Sequence, residues 1–142
     1  MKMINREIGY AIKALCFMVI EEKDIATTSE MAAYFKISRP FLRKILQKLN
    51  KVGLLESHKG KNGGFKLALP ISEIFLIDLI KIFQGPIKLS GCYKKDDDCP
   101  LIAECPIMSE IERLEKNFIA DLAKISLKTI VEKKQIEEDQ DQ

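Results

Sequence analysis

Tryptophan is absent from this 142-residue sequence, and histidine occurs once, as His58. A single histidine, with no nucleophile elbow and no phosphate-binding loop, leaves no catalytic constellation, so the sequence argues against an enzyme. Without Trp, the 46% of hydrophobic residues still suffice for a core, though a modest one. No apolar run reaches the length of a membrane span, and Glu7 interrupts the start before a secretory signal could form. A cytoplasmic chain with no membrane partner is expected, of one domain or a small domain with an appended helix. Four cysteines in that setting argue for metal or redox chemistry rather than a disulfide framework.

Charge is what the sequence concentrates. Residues 36–66 hold nine lysines or arginines against one acid, Glu56. Nine minus one is +8; the whole chain is +2, which leaves −6 elsewhere. A basic surface on an acidic body is the electrostatic footprint of a nucleic-acid reader. Phe41, Leu42, Ile45, Leu46 and Leu49 fall on one helical face; Ser38 caps its start, Pro40 suits the first turn and Gly53 closes it. Strands over 54–58 and 65–69 then flank a turn containing Asn62-Gly63. A basic helix alone could be a solvated face, but a preceding helix and a glycine-rich hairpin make a winged helix-turn-helix. Ser38, Arg39, Arg43 and Lys44 of the helix, with Lys59 and Lys61 of the wing, are the candidates to meet double-stranded DNA.

The remainder frames that unit. Residues 5–22 have helical periodicity, and Cys16 within them reads as a small buried apolar residue. Thr27-Thr28-Ser29-Glu30 fits a capping box opening a helix over 28–35, with Met31, Ala32 and Phe35 facing the core. Residues 74–84 are apolar nearly all round, as in a helix buried on several sides, and Gly85-Pro86 ends it. Segment 86–106 is a loop with Cys92, Cys99 and Cys105 at C-x(6)-C-x(5)-C spacing, the last two followed by proline. Three thiols in a reducing compartment suit an iron–sulfur cluster, zinc or copper(I). Zinc wants a fourth Cys or His, and the one histidine, His58, belongs to the wing as a DNA-facing or solvated residue, so zinc lacks an obvious fourth partner; a cluster can take a carboxylate, water or exogenous thiol. From Ile107 a long helix carries the stripe Ile111, Leu114, Phe118 and Leu122, the expected homodimer interface. Ser126 caps a last helix to Lys134, and residues 135–142 read as a disordered tail. The expected divisions are a DNA-binding domain over 1–85, the cysteine loop over 86–106, dimerisation and terminal helices over 107–134, and the tail.

Tyr10-Ala11-Ile12-Lys13-Ala14-Leu15, Phe41-Leu42-Arg43-Lys44-Ile45-Leu46, Gly63-Gly64-Phe65-Lys66-Leu67-Ala68 and the three-cysteine loop together resemble the bacterial winged-helix iron–sulfur transcriptional regulators (the IscR/NsrR/RirA-like family). The resemblance covers nearly the whole chain. It implies a mainly α fold with a small β wing and a homodimer on a palindromic operator, with a cluster on the three cysteines near each dimerisation helix. Several departures matter. Met108 stands where the IscR-like members place a ligand histidine. Gly9 aligns with the carboxylate that nitric-oxide sensors draw from the partner, leaving Glu7 as the nearest acid and possible fourth ligand. Lys59 replaces a wing arginine and so loses its bidentate fork. Arg43-Lys44 replaces Glu-Gln, which predicts a different target sequence. The missing histidine favours a 4Fe–4S over a 2Fe–2S cluster. The alternatives are a clusterless regulator of the same fold using thiol oxidation or zinc, and a small electron carrier; the latter leaves the basic helix and wing unexplained.

Overall fold

The first three helices are set by local signals that sit where the sequence puts them. In the computed structural model, which describes residues 3–90 and 105–141, α1 spans Arg6–Ile20, and Asn5 Oδ1 accepts from the Ile8 amide at 2.8 Å. Its inner face buries Ile8, Ala11, Leu15 and Met18. Helix α2 (Thr28–Phe35) opens on the expected reciprocal cap: Thr27 Oγ1 accepts from the Glu30 amide at 3.1 Å, and Glu30 Oε1 from the Thr27 amide at 3.0 Å. Lys36, in the left-handed region at φ 58°, ends α2 and turns the chain into α3 (Arg39–Lys51). There Leu42, Ile45, Leu46 and Leu49 are buried against α1 and α2, and Gly53 at φ 88° leads the chain out.

Strands β1 (Leu55–His58) and β2 (Gly64–Leu67) form an antiparallel hairpin pairing Leu55 with Leu67 and His58 with Gly64. Each is one residue shorter than expected, β2 beginning one residue earlier and ending two earlier, and Ala68 instead donates to the Leu54 carbonyl at 3.0 Å. The hairpin is tied to the α1–α2 connection. Ala26 donates to the Phe65 carbonyl at 2.9 Å, and Phe65 donates to Ala26 at 2.8 Å. This close approach explains Gly64, and the tight turn of the hairpin itself explains Gly63. A Cβ on Gly64 would lie 2.6 Å from the Ala26 carbonyl oxygen, and one on Gly63 would collide with the His58 carbonyl oxygen.

The expected helix over 74–84 begins later. Residues Ile71–Glu73 make a single 3-10 turn, and Ile74 and Phe75 are extended before α4 (Leu76–Gln84). The reason is a backbone pairing with the far end of the chain: Leu76 donates to Ile125 at 2.9 Å, and Leu127 donates to Ile74 at 2.8 Å. This latch fixes the elbow between α5 (Pro106–Leu122) and α6 (Leu127–Gln140), with Ser126 capping α6 as expected. Helix α6 passes through residues 135–140, which were expected to lie in a disordered tail. No glycine or proline interrupts it, and Lys134–Glu138 at 3.8 Å adds a weak i,i+4 contact.

The latch also divides the α5 stripe. Leu122 is only 7% exposed and belongs to this chain's own core, and half-buried Phe118 packs against it. Of the expected interface, Leu122 is therefore committed within the chain. Leu114 is 46% and Ile107 72% exposed, with Ile111 between the two groups.

Candidate nucleic-acid interface and cysteine site

Helix α3 presents its basic side outward because its apolar side is fully used. Ser38 Oγ accepts from the Phe41 amide at 3.3 Å, which fixes the first turn. Arg39 and Arg43 lie one turn apart on the exposed face, and Lys44 follows. Lys59 and Lys61 stand exposed at the wing tip, where Gly60 takes φ 106° and accepts from the Gly63 amide at 3.0 Å. Among the described residues, Arg39, Arg43, Lys44, Lys59 and Lys61 make no ion pair. Their charge is thus unneutralised by the protein, as a phosphate-facing surface requires.

Not all of the +8 is free in that way. Lys66 Nζ lies 3.5 Å from Asp24, and Lys48 Nζ sits 5.0 Å above the Phe83 ring of α4. These two cations brace the wing and α3 against the body. His58 Nε2 lies 3.6 Å from Glu56 on the exposed side of β1. A contact outside the expected set is Arg6, whose guanidinium stacks 4.7 Å from the Phe41 ring and 5.7 Å from Tyr10. It adds charge beside the start of α3, and no motif of the sequence marks it.

The cysteines separate by environment. Cys92 and Cys99 lie outside the described residues. Cys105 is partly exposed at the start of α5, and its side chain makes no capping hydrogen bond, so its sulfur is uncommitted. Met108, one turn on, is buried and its sulfur accepts from the Ser90 hydroxyl at 3.5 Å; it is turned inward and unsuited to a ligand role. The Leu89 amide donates to Glu115 at 3.0 Å. Cys16 is buried, as expected, and burial raises its thiol pKa, with the Lys134 ammonium opposing in part. Glu7 is exposed in the first turn of α1. Among the described residues no three His, Cys, Asp or Glu side chains are grouped to hold a metal, and no helix is long and apolar enough to cross a membrane.

Known proteins share this arrangement. The chain is 29% identical over 130 residues to the transcriptional regulator NsrR of Oceanobacillus iheyensis, covering 90% of this chain and 88% of that one. Its fold is similar to that of CymR, the global cysteine regulator of B. subtilis, with TM-score 0.74 and 19% identity over 93% of this chain and 98% of that one. It is similar also to IscR of T. potens, with TM-score 0.69 and 22% identity over 94% and 88%. The profile of the Rrf2 family, described as an iron-dependent transcriptional regulator, matches residues 4–133. With a winged helix that leaves five cations unpaired, and a family match over nearly its full length, the chain belongs to the Rrf2 family of DNA-binding transcriptional regulators and is not an enzyme.

Proposed function

We propose that the chain is a homodimeric regulator that reads a palindromic operator and senses iron, nitric oxide or redox state through an iron–sulfur cluster on Cys92, Cys99 and Cys105. The observation that carries this reading is the tethering of both ends of the cysteine segment to one helix. Ser90 is held to Met108 and Leu89 to Glu115, while Cys105 opens the same helix with a free sulfur. Leu89 and Ser90 are thereby held along α5, at Glu115 and Met108, while Cys105 stands at the helix's N-terminal end. The donor set fits a cluster, since soft thiolates are its usual ligands. A 4Fe–4S form is favoured because Met108 cannot replace the histidine of the IscR-like pattern, and exposed Glu7 is the candidate fourth ligand. When bound, the cluster supplies a cross-link among thiolates that iron supply, oxidants or nitric oxide can break.

The residues of the chain carry that change onward. Helix α5 packs on α4, and α4 packs on α1, which supports α3. A shift at the start of α5 therefore reaches the DNA-reading unit through packed helices and alters the relation between two copies. Arg39, Arg43 and Lys44, with Ser38, meet the major groove, and Lys59 and Lys61 meet flanking phosphates. Such a signal acts only through the different DNA affinities of two states.

The likeness to a cysteine regulator and the partly exposed Cys105 favour a second reading, in which the thiols sense oxidants without a cluster or hold zinc. One experiment separates the two. Protein purified without oxygen should be brown, with iron and sulfide in stoichiometric amounts, and should lose its visible absorption on Cys92→Ala, Cys99→Ala or Cys105→Ala but not on Cys16→Ala. A colourless protein, with or without zinc, overturns the cluster reading and leaves the DNA-binding assignment untouched.

A further inference from the structure

Between α1, α2 and α6 lies a cavity of about 190 Å³, partly open to solvent. Its floor is Cys16, Phe17 and Val131, all buried, and isoleucines of α1 and α6 form much of its wall. None of the exposed cations of α3 and the wing lines it, nor does Cys105. Protein interiors are packed closely, and apolar cavities of about 150 Å³ take up a benzene-sized guest. The rim carries charge. Lys13 is drawn aside over the Tyr10 ring, 4.6 Å from its centroid, and Glu21 lies at the opposite end of the α1 stretch. Lys134 pairs only with exposed Glu138, at 3.8 Å, and its ammonium is near enough to the floor to act on the Cys16 thiol.

We infer that this cavity binds a small carboxylic acid, its ring or short alkyl chain on the apolar floor and its carboxylate paired with Lys134. Ligand sites of this type are concave and mostly apolar, with few polar groups to orient the guest. The position is apt for a regulator. Tyr34 and Phe35 of α2 line the cavity, Phe17 and Tyr34 lie 4.9 Å apart, and Phe35 meets Tyr10, which meets Phe41 of α3, at 6.2 and 5.9 Å. A guest therefore rests against the rings that join α1 and α2 to the DNA-reading helix.

The test uses the full-length protein with sodium phenylacetate, and 2-phenylethanol as its uncharged counterpart. Binding is followed by ligand-observed NMR, and alkylation of each cysteine-containing peptide by mass spectrometry. Saturating phenylacetate should slow alkylation of Cys16 several-fold and leave the Cys105 rate unchanged. Lys134→Met, at an exposed position, should weaken phenylacetate about tenfold, the loss of roughly one charge-assisted contact, and leave phenylethanol unaffected. Ile130→Phe should fill the cavity and abolish protection. Absence of phenylacetate binding, or binding that leaves Cys16 unprotected, overturns the site. Equal binding of both probes with no effect of Lys134→Met overturns the carboxylate assignment.

Discussion

The DNA-reading unit and α5 are both amphipathic constructions, yet they use their apolar residues differently. Helix α3 has one apolar face and one destination for it: Leu42, Ile45, Leu46 and Leu49 are all buried in their own chain, which leaves Arg39, Arg43 and Lys44 exposed on the other side. Helix α5 has a broader apolar stripe that serves two surfaces. Leu122 and Phe118 go into the core beside the α4–α6 latch, while Leu114 and Ile107 stay exposed. A helix with a single apolar destination can be assigned from its period; one with two has to be seen folded.

The largest expected effect tests that division directly. Ile107→Asp with Leu114→Asp should yield folded monomers in sedimentation velocity, since charges are placed in an apolar seam. Affinity for a two-half-site operator should then fall by about 10²-fold or more as avidity is lost. Leu122→Asp should instead unfold the chain. If the double variant remains dimeric, the two halves of the stripe are not divided in this way.

A smaller effect probes the wing. Gly64→Ala must displace the Ala26 carbonyl and hold an unfavourable φ of 153°, so it should cost about 1–3 kcal/mol of stability by urea unfolding. Gly60→Ala meets no atom and should cost less. Equal losses would mean backbone strain, rather than the close approach to Ala26, sets the requirement.

The two basic positions should part company next. Arg43→Ala should cost about 1–3 kcal/mol in specific binding and relax discrimination at one base pair per half-site. Lys61→Ala should weaken all sequences alike and reduce the slope of log affinity against log salt by about one unit. Identical, sequence-independent losses in a salt titration would place Arg43 on the backbone.

The smallest effect concerns Cys16. Burial raises its folded pKa above the unfolded value, so its contribution to stability is complete below the ordinary thiol range of about 8.5. That contribution declines as pH rises through the folded value. Wild type should therefore lose stability faster than Cys16→Ala above about pH 9 in urea titrations. Parallel curves would show that the thiol ionises as freely in the folded chain as in the unfolded one.

What was legible in the sequence was local. The capping box at Thr27 and Glu30, the Ser38 cap and the buried face of α3 are each decided within one or two helical turns. The glycine pair of the wing was visible, but the cause of Gly64 was not, because Ala26 approaches from a distant loop. The latch of Ile74 and Leu76 with Ile125 and Leu127 uses backbone groups alone, and side-chain patterns carry no trace of it. For the same reason the fate of Leu122 was hidden, whereas the extension of α6 rests on an uninterrupted, glycine- and proline-free run that the sequence does show. Arg6 was missed because stacking on Phe41 joins two helices that no sequence spacing connects.

The bond between Ala26 and Phe65 has a consequence for signalling. Two backbone hydrogen bonds fasten the wing to the loop from which α2 departs, and α2 holds α3. Wing and helix thus form a single stiff stencil whose internal angles are fixed by main-chain geometry. Two main-chain bonds and the packing of α2 on α3 oppose a change of angle within that stencil. In a homodimer the adjustable quantity is the gauge between two stencils, matched or mismatched to the pitch of the duplex. On the function proposed above, the start of α5, where Ile107 and Leu114 stand exposed, is where that gauge would be set.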